Sequence, residues 1–337
     1  MNFHSSDFAN THRWFFDLEF VRTRNKNAEN LSDDAIIESI LDPGNQDPYA
    51  PNVLFDAEHC STALGVTRNL ENVVLRYLQE GMRRGVSPNP LFDPSFYLSQ
   101  CTHLLQNPSA AIEDCLNRVR RNERLPCFHP FFDEDFICKD CDFGAPAAFY
   151  SALFGGDIYE VRSHALVDFD HLGHQLNRTF ESYREALAAY WDAEHDVSTH
   201  VLFDLDFYRA QLGKDTDIRR GVYHYLVSNT QHSPQPLFDP SFYRQAAKET
   251  FGQLPERPYE HYVQQGQYCG LDPSPFFDTQ HYSSQTNCED APLEHFLRDG
   301  HLSASGHALL RFAQSRLHAA ASNHSDTAVE ALLATEP

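Results

Sequence analysis

The dipeptide Phe-Asp punctuates this chain at Phe16-Asp17, Phe55-Asp56, Phe92-Asp93, Phe132-Asp133, Phe169-Asp170, Phe203-Asp204, Phe238-Asp239 and Phe277-Asp278. Successive aspartates lie 39, 37, 40, 37, 34, 35 and 39 residues apart. Self-similarity at such a period marks a repeat architecture, in which one small unit recurs and cannot bury its apolar face alone. This constrains the fold more than any other feature of the chain.

One unit shows the local physics. Phe238-Asp239-Pro240-Ser241-Phe242-Tyr243 opens a helix: Asp239 accepts from the free amides of the first turn and Pro240 sits where a missing amide costs nothing. Phe238 packs back on that turn as a staple. Tyr97, Tyr208, Tyr243 and Tyr282 all stand four residues after their aspartate. A second helix follows, Pro258 to Gly266, and Pro292 to Gly300 repeats it, with the glycine expected to end it. Asn229 takes the place of that glycine in another unit. Pro51, Pro88 and Pro273 all lie five residues before their aspartate, and Gly44, Gly81 and Gly266 twelve before.

These patterns predict an all-α chain: an α-solenoid of about eight two-helix repeats with a period of 34–40 residues. Helices of eight to ten residues need neighbours to be stable. The expected division is 1–132 and 201–306 as helical repeats, 133–200 as an irregular middle, and 307–337 as a capping helix (His307 to Ala320) with a frayed tail.

The formal net charge of −22 argues against nucleic acid, since phosphate binding needs clustered Lys and Arg. No window approaches the ~18 consecutive apolar residues of a membrane span. Scattered cysteines and the lack of a basic-then-apolar leader suggest a cytoplasmic chain.

Candidate chemistry is sparse. Cys127, His129, Cys138 and Cys141 offer a zinc set, though Cys141 also fits a core slot of the repeat. His164, Asp168, His171 and His174 are weak metal candidates, and Asp192, Glu194, His195, Asp196 and His200 form a second cluster. Asp170 and His174 also fit the cap and +4 positions. Asp-x-Asp at Asp133, Asp168 and Asp204 reads as capping with an acidic first turn. Arg76, His224, His261 and His295 precede an aromatic of the second helix. They form either a binding strip or bonds to a neighbouring unit's backbone. The chain has no phosphate loop, no Gly-x-Ser-x-Gly and no His-Glu-x-x-His, and nothing in it calls for a cofactor.

The unit Pro-Leu-Phe-Asp-Pro-Ser-Phe-Tyr … His-Tyr-Val-Gln-Gln-Gly … Gly-Leu-Asp-Pro-Ser-Pro-Phe-Phe-Asp resembles a bacterial tandem repeat that accompanies surface-polysaccharide glycosyltransferases of the rhamnan-synthesis type. The resemblance covers residues 52–100 and 201–306. It implies an accessory, non-catalytic scaffold or adaptor with a protein partner. The rival readings are a glycosyltransferase-related enzyme taking a nucleotide sugar, or a carbohydrate-binding module, each using the irregular middle.

Overall fold

The computed structural model describes residues 5–66, 71–104, 106–138, 143–212, 220–228, 232–288 and 290–298. Its secondary structure is helical apart from a two-stranded antiparallel sheet, Arg162–His164 with Val167–Asp168. The segment read as a capping helix, together with Cys141, Asn229 and Gly300, lies outside the described residues.

Eight aspartates cap eight helices. The carboxylates of Asp17, Asp56, Asp93, Asp133, Asp204, Asp239 and Asp278 accept the amide three residues on. The eighth differs from the expectation. Asp168 caps Phe169–Leu176 by accepting from His171, and Asp170 is an exposed first-turn residue. Val167-Asp168 therefore stands where Phe-Asp stands elsewhere. Buried Leu172, not His174, takes the +4 position. The spacings around this cap become 35 and 36 residues, so the middle of the chain keeps the period.

A second helix follows each capped helix in the chain: Asp33–Leu41, Val73–Gly81, Pro108–Arg120, Pro146–Gly155, Tyr183–Asp192, Gly221–Val227, Pro258–Gly266 and Pro292–Arg298. Two of these finish in a π turn, Tyr77–Gly81 and Tyr262–Gly266. Their glycines do not end the helix by turning left-handed, as expected. Gly266 is right-handed, at φ −61°. A Cβ there would fall 2.2 Å from the Tyr243 hydroxyl, and one at Gly81 2.6 Å from the Tyr77 ring. Close approach selects these glycines. The left-handed residues come four positions later, Gly85 and Gly270.

Within each unit the connectors stitch one repeat to the next. The cap amides of Asp17, Asp56, Asp93, Asp168, Asp204 and Asp239 donate to Pro51, Pro88, Phe128, Thr199, Pro234 and Pro273 at 2.8–2.9 Å. Every acceptor is five residues before the following cap. The chain turns back at these points so that the pre-cap Phe enters the core. In one repeat Phe238 meets Tyr243 and Tyr259 at ring separations of 5.3 and 4.8 Å. Burying such a ring is worth ~2 kcal/mol.

The chain divides into two compact units: 1–160 with 181–188, and 161–180 with 189–337. Each holds four caps. The boundary falls inside the segment read as irregular, and within the helix Tyr183–Asp192. Each unit also carries contacts that skip intervening repeats. In the first, Arg120 pairs with Asp17 at 3.5 Å and Arg184 with Asp56. In the second, Arg298 pairs with Asp168 at 2.6 Å and Arg162 with Glu294 at 3.1 Å.

Candidate ionic site

A buried polar slot recurs four residues before the caps. It holds Asn52, Asn89, His129, His164, His200, Gln235 and Ser274, all at most 8% exposed. Each side chain accepts the amide two residues on, at 3.0–3.3 Å. The acceptor fixes the turn that delivers the Phe. In the three histidines this acceptor is Nδ1, and in His129 and His164 the neutral ring then carries its hydrogen on Nε2. Burial pushes His129 and His164 down to about 4, and His200 well below its usual range, with Arg162 and Arg298 adding to the effect on His200.

Two members of the zinc set read in the sequence, Cys127 and His129, belong to this pattern. Cys127 lies on the carbonyls of His129 and Phe132 at 3.6 and 3.7 Å. Ser87 and Ser198 make the same two contacts in their own repeats. Cys127 is thus a turn-closing residue, and His129 is spent on the Phe131 amide.

The expected binding strip is engaged within its own repeats. The Tyr208, Tyr243 and Tyr282 hydroxyls meet Nδ1 of His224, His261 and His295 at 2.8, 2.6 and 2.6 Å. Burial lowers His224 and His261. These histidines bond a side chain of the preceding helix, not a neighbour's backbone. Arg76 pairs with Glu80 at 2.8 Å.

The densest charge cluster lies in the second unit. Asp168, His200 and Glu294 are buried, with ligand-type atoms within 4.8 Å of one another. Of the expected metal candidates, Asp168 and His200 belong to it, one from each of the two clusters read in the sequence. His164 is tied to the Leu166 amide, His171 lies close enough to feel Arg298 and Asp168, and His174 is exposed. Glu294 receives Arg298 and Arg162, each at 3.1 Å, and Arg162 also touches His200 Nε2. This donor set does not fit a divalent cation. His200 Nδ1 already accepts the Leu202 amide, and the Arg162 guanidinium stands against Nε2. Both carboxylates already neutralise guanidinium groups, and two arginines repel a cation.

Arg162 and Glu294 are the residues that sequence reasoning missed. Arg162 stands six residues before its cap, where Ser87, Cys127, Ser198 and Ser233 stand in other repeats. Arg162 is the one cation in this slot before the eight caps, Asp272 being its other charged occupant, and that break was the available signal. Comparison with protein-family models, with curated proteins and with solved structures finds no match to the chain.

Proposed function

We propose that this chain is a non-catalytic helical-repeat scaffold, its units stacking as in a solenoid, that serves bacterial cell-surface polysaccharide assembly by holding a protein partner. One observation carries the non-catalytic part. The residues able to do chemistry recur by register, and their reactive atoms are spent inside the fold. Cap carboxylates hold amides and arginines, buried histidines hold turn amides, and the tyrosine hydroxyls meet the second-helix histidines. The polysaccharide context rests on the repeat's resemblance, and a cytoplasmic location accords with the reading. Among the described residues no helix is long and apolar enough to cross a membrane.

The test is a thermal-shift panel of nucleotide sugars and divalent metals, paired with metal analysis of the purified chain. The expected outcome is no stoichiometric metal, no shift and no release of nucleoside diphosphate. Turnover of any nucleotide sugar would overturn the proposal in favour of a transferase.

A further inference from the structure

The first unit contains a cleft of about 330 Å³ that the repeat physics above does not use. Four repeats of the unit and one adjoining segment reach it or its neighbour. Phe20 and Arg24 come from the first capped helix, Asp56 and Glu58 from the start of the second, Gly155 from the end of Pro146–Gly155, and Arg184 from Glu181–Ala188. An adjoining cavity of about 200 Å³ shares Asp56 and Arg184 and adds Asn89 and Tyr183. The Asp56–Arg184 pair therefore stands between two compartments. The larger one falls at the lower end of small-ligand pockets, ~300–1,000 Å³.

The lining selects a chemical class. Its floor is apolar, with Phe55 and Phe154 buried. Its rim is charged and half-open: the Arg24 and Asp157 side chains are 51% and 60% exposed, and those of Arg184 and Glu58 43% and 64%. Arg24 also lies over the Phe20 ring, 5.6 Å from its centroid. Gly155 leaves room for the Arg24–Asp157 pair, since a Cβ there would stand 3.2 Å from Asp157 Oδ2 and 3.5 Å from Arg24 Nη2. Two guanidiniums and two carboxylates line the cleft, Arg24 being paired with Asp157 beside it. An anion would have to displace carboxylates already seated on the arginines, and a cation would meet both arginines. A neutral ligand with adjacent hydroxyls meets neither obstacle. One hydroxyl donates to a carboxylate oxygen while its neighbour accepts from a guanidinium, and C–H faces lie on the phenyl rings.

We infer that this cleft binds a neutral, hydroxyl-rich small molecule of about monosaccharide size. The inference rests on the non-catalytic reading, since the cleft holds its ligand without making or breaking a bond.

Saturation-transfer NMR on the whole chain tests it, with D-glucose, D-galactose, D-mannose and N-acetyl-D-glucosamine as probes. D-glucuronate and D-glucosamine serve as the charged counterparts. At least one neutral sugar is expected to receive saturation, and its charged analogues less. Glu58→Gln and Arg24→Gln change exposed side chains and should each weaken binding about tenfold. Ala57→Trp fills the cleft from the first turn of its helix and should abolish the signal, with circular dichroism confirming retained helix. No transfer to any neutral sugar, or transfer unchanged in Glu58→Gln and Ala57→Trp, overturns the inference. That failure leaves the scaffold reading standing, whereas nucleotide-sugar turnover overturns the scaffold reading and leaves the cleft in place.

Discussion

His129, His164 and His200 do the work that Asn, Gln or Ser does in other repeats, but unlike those residues they can take a proton. Burial lowers His129 and His164 to about 4 from an ordinary 6.5. The unfolded chain therefore binds protons at a pH where the folded one does not. Stability from this source is full above pH 6.5, falls as pH drops toward about 4, and is worth roughly 3 kcal/mol per histidine. Urea unfolding should show a steep loss between pH 6.5 and 4.5. The variant carrying His129→Asn and His164→Asn keeps both amide acceptors and should flatten that loss, while staying within ~1 kcal/mol of the parent at pH 7.5. An equally steep loss in this variant would place the titration elsewhere. The slot was hard to see in the sequence because Asn, His, Gln and Ser share no size or charge. What they share is an acceptor that can reach the amide two residues on.

Elements were more legible, because a helix start is a local event. Phe-Asp marked seven of the eight caps, and the eighth slipped by two residues because Val167 replaces the Phe while a second Phe-Asp follows at once. Capping energetics tests that register. Asp170→Ala should change stability by less than ~0.5 kcal/mol. Asp239→Ala loses the bonds to the Ser241 and Phe242 amides and should cost ~1 kcal/mol. Asp168→Ala loses a cap and also one of the two carboxylates that hold Arg298, Glu294 being the other. Its cost should be roughly 2–3 kcal/mol, held below a fully buried pair because the Arg298 side chain is 34% exposed. Gly266→Ala offers a steric counterpart. The added methyl collides with the Tyr243 hydroxyl that holds His261, so a loss of ~2 kcal/mol is expected by chemical denaturation. If a left-handed turn were the reason for this glycine, Gly266→Asn would be tolerated better than Gly266→Ala. Steric exclusion predicts the reverse.

At the scale of each unit, two kinds of contact coexist, and the sequence showed only the recurrent positions that one of them uses. The cap-to-connector bonds join one repeat to the next within the unit. The arginine contacts join residues about a hundred or more apart, and no periodicity announces them. In the second unit Arg298 belongs to the last described helix and Asp168 to the first cap, with two further repeats between. A stack held by neighbours alone would confine the effect of a lesion in the last repeat to the repeat before it. The Arg298–Asp168 and Arg162–Glu294 pairs predict something else. Arg298→Ala should raise amide hydrogen exchange in Phe169–Leu176, whose cap loses its partner, and more than in Leu205–Ala210, which lies between them in the chain. Adding Asp168→Asn to Arg298→Ala should cost less than the two single losses together, because the pair is broken only once. Exchange confined to Pro292–Arg298 and its neighbour, with strictly additive energies, would show that the long-range pairs contribute nothing and that the unit is held by its stitches alone.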